Sequence, residues 1–256
     1  MRSPDRRIRL LLVIVAAIGV ASLALNVVLI ERLSSSFAEL QFSRVFPLGY
    51  VPREESAKPS GDAAGALALY GDSRALLWRP RGMQVVNFAH GGQTSTQLRL
   101  QLESQPAVRT RWSLVQIGIN DLHPLGALAE DRALIVATLR DNVAAIVRTL
   151  AQRSDCVIVS TIFPPAHVPL SRRPFWDEAT PQYVADVNRS IAALADGRRV
   201  LVLDAHAVLR GADGYIDPKF IDPDFFLHVN ATAYAALDAS LSELLHSGAV
   251  APPENK

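Results

Sequence analysis

The chain has 256 residues, 49% of them hydrophobic, with 26 Lys and Arg against 25 Asp and Glu and a net charge of +1. That length bounds it at one substantial domain plus an appendage, and the near-neutral charge excludes a broad nucleic-acid surface. A single cysteine, Cys156, excludes an internal disulfide framework, and with no CxxC, HExxH or paired His/Cys spacing neither a metal nor another cofactor is expected.

The N-terminus is the first informative stretch. Residues 1–9 carry four arginines, and Leu10–Ile30 follows with no charge and only Ser22 and Asn26 as polar side chains. A spanning helix needs about 20 apolar residues, whereas the apolar core of a cleavable signal runs about 7–15. The segment 10–30 therefore reads as a transmembrane signal-anchor. A signal peptide cleaved near Ala21–Ala24 is the rival reading. The positive-inside bias puts residues 1–9 in the cytoplasm and everything after the span on the far side of the membrane, the periplasm in a bacterium. Residues 31–62, rich in Pro, Gly, Ser and charge in their second half, read as a linker. A folded domain is expected over 63–248 and a tail over 249–256.

From Ala66 onward, apolar runs alternate with amphipathic stretches. The strand candidates are Ala66–Tyr70, Gln84–Phe88, Leu114–Ile117, Cys156–Thr161 and Val200–Leu203. Ile135, Leu139, Val143, Ile146 and Leu150 share one face of a long helix between the third and fourth strands. A second helix starts at Thr180-Pro181, with Val184, Val187, Ile191 and Leu194 as its stripe. A last helix begins near Asn230, which suits a cap, and ends by Gly248. Nearly all-apolar strands alternating with helices predict an α/β fold, a parallel sheet of about five strands covered on both faces.

Ligands of such sheets bind beyond the carboxyl ends of the strands. Gly71-Asp72-Ser73 follows the first strand, His90 to Ser95 ("HGGQTS") the second, and Gly118 to His123 ("GINDLH") the third. Asp222 to Tyr234 ("DPDFFLHVNATAY") precedes the last helix. Acyl transfer needs a nucleophile, a neighbouring base and donors aimed at an oxyanion. Ser73 offers a hydroxyl at a tight turn, though an isolated Gly-Asp-Ser is equally a helix cap. Gly92 offers an unobstructed N–H, Asn120 an uncharged NH₂, and His228 an imidazole late in the chain. His90 and His123 flank these blocks. Trp176 and Phe175, in the Pro-rich segment 163–180, are candidates either to line a pocket or to anchor that loop.

Those four blocks, in this order from Ala66 to Leu245, resemble the SGNH (GDSL-like) hydrolase family. The resemblance implies a flavodoxin-like three-layer α/β/α fold and metal-free, serine-dependent ester hydrolysis. By it, Ser73 is the nucleophile and His228 the general base, with Ser73 N–H, Gly92 N–H and the Asn120 amide forming the oxyanion hole. Asp121 is expected to support its loop. One block departs from the family pattern: the position three residues before the histidine, usually aspartate, is Phe225. Asp224, four before, is the expected orienting acid, brought in by a one-residue bulge. Asp222 is a second candidate, and a Ser–His dyad held by a backbone carbonyl a third.

The expected function is a membrane-anchored serine esterase. Its partners are the membrane, through the N-terminal helix, and a small acyl ester or acylated glycan outside the cytoplasm, an acetyl group foremost. An O-acyltransferase with the same site and a non-catalytic module of this fold are the alternatives.

Overall fold

The computed structural model describes residues 4–45, 47, 65–170, 172–173 and 176–247. They fall into two units, Met1–Pro47 and Leu48–Lys256. In the first, helix α1 spans Pro4–Val45. Its stretch Arg6–Ser36 is long and apolar enough to cross a membrane. The large apolar side chains of Leu10–Ile30 all stand exposed. At 1.5 Å per residue α1 is about 63 Å long, about twice the thickness of a bilayer's hydrocarbon core. The helix runs on well past Ile30, so the first part of the expected linker is helical. Leu33, Phe37 and Leu40 recur there at helical spacing. The rest of that linker, 48–62, and the tail 249–256 lie outside the described residues.

In the second unit the five strands are β1 (Leu67–Gly71), β2 (Val85–Asn87), β3 (Thr110–Gln116), β4 (Ser154–Ser160) and β5 (Val200–Leu203). All pair in parallel, in the order β2-β1-β3-β4-β5. Side chains alternate across a strand, and the core divides accordingly. Leu67, Leu69, Leu114, Ile158 and Leu203 face Trp78 and the helices α7 (Ala205–Leu209) and α8 (Ala231–His246). Ala68, Tyr70, Val115, Val157 and Val159 face α5 (Arg132–Ala151) and α6 (Thr180–Ala192). The α5 stripe is buried at Leu139, Val143, Ile146 and Leu150, as its spacing requires, whereas Ile135 is only partly covered.

Strands β3 and β4 start earlier than their apolar runs, with Thr110 paired to Ser154. Both polar residues are buried and bonded locally, Thr110 Oγ1 to the Trp112 carbonyl at 3.2 Å and Ser154 Oγ to the Leu150 carbonyl at 2.9 Å. Helix α3 (Ser95–Ser104) has too weak an apolar stripe to announce itself. It is started by a capping box: Thr94 accepts from the Gln97 N–H, and the Gln97 side chain accepts from the Thr94 N–H. The strand order reverses direction between β1 and β3, and at such a switch point the carboxyl ends open a crevice for a ligand.

Candidate active site

Strand β1 ends at Gly71, whose φ is +137°; a Cβ there would lie 1.7 Å from the Gln116 carbonyl oxygen of β3. Only glycine permits that approach. Asp72 then caps the short helix α2 (Ser73–Leu77), its Oδ1 accepting the Arg74 N–H at 2.9 Å. Capping thus falls to Asp72, and the hydroxyl of Ser73 is left for another partner. That partner is His228: Nε2 of the imidazole lies 3.1 Å from Ser73 Oγ, across 155 residues of sequence.

His228 closes a compact turn. The Asp222 N–H donates to the His228 carbonyl at 3.2 Å, and the His228 N–H donates to the Phe225 carbonyl at 2.8 Å. Asp222 Oδ1 accepts the N–H groups of Asp224 at 2.8 Å and Phe225 at 3.2 Å. Arg74 holds the turn from below. Its side chain is buried, and Nε donates to the Leu227 carbonyl at 2.9 Å. The guanidinium carbon stands 5.1 Å over the Phe163 ring, and the Tyr234 hydroxyl donates to the Arg74 carbonyl at 2.9 Å.

The electrostatics follow from this packing. Partial burial holds the His228 pKa below the ordinary imidazole value; Arg74 lowers it further, and Asp222 acts the other way. Burial pushes Asp72 up to about 7 against the pull of Arg74. Among the described residues, neither Asp72 Oδ2 nor one terminal nitrogen of Arg74 has a hydrogen-bond partner. The expected orienting acid, Asp224, is exposed and is not brought to the ring. No carboxylate accepts a hydrogen bond from the His228 imidazole among the described residues, and Asp222 is the carboxylate whose charge raises the pKa of the ring. The physical reason is the turn itself: with Asp222 capping the N–H groups of residues 224 and 225, Asp224 faces outward.

The other two blocks are tied together beside Ser73. The His90 N–H donates to the Gly71 carbonyl at 2.9 Å, fixing the segment after β2 to the end of β1. Gly92 has φ +73°, the left-handed region. Asn120 sits in the one-turn helix α4 (Ile119–Leu122), and its Nδ2 donates to the Gln93 carbonyl at 3.0 Å. Asp121 accepts the Ser95 N–H at 3.0 Å and the Ser95 hydroxyl at 2.6 Å, clamping α4 to the start of α3. Burial pushes the Asp121 pKa up to about 6, opposed by those bonds. Supporting the loop is the role the sequence assigns it. Gln93 is in turn buried against Gln101, which donates to the Phe88 carbonyl at 3.0 Å.

Arg74 carries no motif and escapes a reading by blocks, whereas Gln93 and Ser95 lie inside the HGGQTS block with no role assigned to them there. Two signals point to them: a lone arginine inside the apolar run "SRALLW", and the T-x-x-Q pattern at Thr94. Trp176 stands near the site, edge-on to His123 at 6.0 Å and to Phe226 at 6.3 Å, and Phe225 lies 4.5 Å from His228 between ring centroids. Phe175 lies outside the described residues.

A tight turn that presents Ser73, a histidine on its hydroxyl and an asparagine amide thus stand at the carboxyl ends of a parallel sheet. Residues 60–236 match the model of the GDSL-like lipase/acylhydrolase family, and the chain belongs to that family of ester-bond hydrolases. Among curated proteins the chain has no match. Among solved structures it is similar to a proposed platelet activating factor from Streptococcus pneumonia, at TM-score 0.60 and 16% identity over 75% of this chain and 87% of that one. A GDSL-like lipase from Bacteroides thetaiotaomicron gives TM-score 0.55 and 16% identity over 82% and 98%. An acetylxylan esterase from Geobacillus stearothermophilus gives 0.53 and 16% over 75% and 99%. At these identities the likeness is one of fold.

Proposed function

We propose that the protein is a serine esterase that cleaves an acyl ester outside the cytoplasm through a covalent acyl-enzyme. The observation that carries this reading is the 3.1 Å contact between His228 Nε2 and Ser73 Oγ. A histidine with a depressed pKa is neutral near pH 7, so Nε2 is free to accept the serine proton. As Ser73 Oγ bonds to the ester carbon, the proton passes to His228. The carbonyl oxygen takes the negative charge among the N–H groups of Ser73 and Gly92 and the Asn120 amide. Asn120 has two N–H bonds; one is spent on Gln93, which fixes the amide plane, and the other remains for the oxyanion. His228 returns the proton to the departing alcohol. Water, deprotonated by the same ring, then releases the acid and restores Ser73 Oγ–H.

For the base to accept at Nε2, the proton of the neutral ring must sit on Nδ1, and a nearby carboxylate favours that tautomer. The electrostatic coupling to Asp222 supports this residue over Asp224. The apolar stretch of α1 and the arginines before it support a membrane anchor with the esterase domain on the far side. Likeness to an acetylxylan esterase supports acylated glycans among the substrates.

The test is hydrolysis of a chromogenic short-chain ester and labelling by a fluorophosphonate probe, using the full-length chain. Hydrolysis and labelling that both disappear in Ser73→Ala, and both slow in His228→Ala, are expected. Equal rates for wild type and Ser73→Ala would sink the reading.

A further inference from the structure

We infer that the chain forms a parallel homodimer through one face of α1, a seam that runs from the apolar span into the helical stretch beyond it. This inference rests on the membrane-anchor reading above and is independent of the catalytic one. Leu33, Phe37 and Leu40 set the register of the seam, in alternating steps of four and three residues. Carried back in the same steps, it passes through Ile30, Asn26, Leu23, Gly19, Ala16 and Leu12 before it meets Arg9. Lipid covers the part of this face that lies within the span. Past Ile30 that cover ends, yet Leu33 and Leu40 stand 73% and 49% exposed. At Gly19 an added Cβ would meet nothing within 4 Å, and Ala16 lies one turn before it, so two backbones can approach closely there.

Asn26 decides what the seam is built to meet. The stretch Leu10–Ile30 has only Ser22 and Asn26 as polar side chains, and the register fixed outside the span passes through one of them. Asn26 Nδ2 donates to the Ser22 carbonyl at 2.8 Å, which leaves the second N–H and Oδ1 of the amide. In hydrocarbon such unused capacity is costly. An identical amide supplies both the acceptor and the donor, so the seam is complementary to itself. Copies of one chain insert with one orientation; two helices therefore run parallel, and each seam residue meets its own counterpart about a twofold axis. The flanking positions agree. Ser34, Ser36, Gln41 and Ser43 are uncharged, while Glu31, Arg32 and Glu39 fall outside them. Two copies thus oppose no like charges between Arg9 and Arg44. A partner helix with charged flanks would find no countercharge here.

The test is oxidative cross-linking of the full-length chain in membranes with copper phenanthroline. Cysteines are introduced one at a time, by Leu33→Cys and Leu40→Cys on the seam and by Arg32→Cys and Ser35→Cys off it. Cys156 is buried, and wild type serves as the blank. The two seam variants are expected to give about fivefold or more covalent dimer than the other two. Adding Asn26→Val to Leu33→Cys is expected to lower its yield about threefold, and Asn26→Gln, which keeps the amide, to lower it less. Equal yields at all four positions, no dimer at any, or a cross-link to a different protein overturns the homodimer, as does a yield that Asn26→Val leaves unchanged. Where the chain still stays in the pellet after alkaline carbonate extraction, each of these results leaves the membrane-anchor reading standing. Release into the supernatant overturns both.

Discussion

Arg74, the residue after Ser73, donates from Nε to the carbonyl of Leu227, the residue before His228, at 2.9 Å. Ser73 and His228 are thereby joined by a second, parallel link one residue removed from the first. A buried guanidinium thus ties the serine turn to the histidine turn. It also places a positive charge near the imidazole, which favours its neutral form.

Replacing Arg74 by lysine keeps the charge and loses the planar Nε donor. Displacements of about 1 Å in a reacting pair cost about a hundredfold in rate. Arg74→Lys is expected to lower kcat and the rate of fluorophosphonate labelling by about that factor, with KM and the acid limb of the pH profile little changed. A purely structural role predicts instead a lowered melting temperature with normal kcat per folded molecule.

The acid limb of kcat/KM reports the free base. Burial and Arg74 both lower the His228 pKa, so the neutral form persists below the ordinary value of about 6.5. Activity is expected to rise with pH through a midpoint below that value and to be level by pH 7. A midpoint above about 6.5 contradicts the environment described for the ring.

The orienting carboxylate is testable by comparison. Asp222→Asn is expected to lower kcat/KM by about a hundredfold or more, as losing the tautomer-setting acid does elsewhere. Asp224→Asn is expected to cost far less, because its carboxylate is exposed. Equal losses in the two variants contradict the assignment of Asp222.

Asp72 couples the site to stability. Its folded-state pKa of about 7 exceeds the unfolded value of 3.8. The folded state therefore holds a proton that the unfolded chain has released. Its contribution is fully present below about pH 4 and is lost as pH rises through about 7. Asp72→Asn removes this dependence. Between pH 5 and 8 the wild type is expected to lose on the order of 2 kcal/mol of unfolding free energy relative to the variant. Urea titration followed by tryptophan fluorescence at the two pH values measures it. Parallel curves refute it.

Helix α1 predicts where the domain resides. In bacteria, alkaline phosphatase fused after Lys256 is expected to be active and a cytoplasmic reporter at the same position inactive. The chain is also expected to stay in the membrane pellet after alkaline carbonate extraction. An active cytoplasmic reporter contradicts the orientation drawn from the N-terminal arginines.

Much of this architecture is written locally. The five apolar runs become the five strands because a sheet covered on both faces needs apolar residues at nearly every position. Asn230 caps α8, accepting the N–H groups of Thr232 and Ala233. The stripe from Leu139 to Leu150 is buried as written. Strand β3 shows the limit of that reading, since buried polar residues such as Thr110 extend it beyond its apolar run. Helix α3 shows another, since its start is a capping box rather than a stripe.

The four blocks that name Ser73, Gly92, Asn120 and His228 are likewise legible, because each is a short run at a strand or helix end whose identity does not depend on distant partners. What pairs with what is a different matter. The Ser73–His228 contact spans 155 residues, and the Arg74–Leu227 bond spans 153. Neither follows from spacing, because tertiary packing sets both distances. For the same reason the sequence favours Asp224 for the acid, counting back from His228. In the folded turn Asp222 caps the following N–H groups and Asp224 stands exposed. The sequence by itself determined the elements and the chemical groups at their ends; the tertiary structure decided which charges are buried together, and burial is what turns a buried arginine, an aspartate and a histidine into a coupled set.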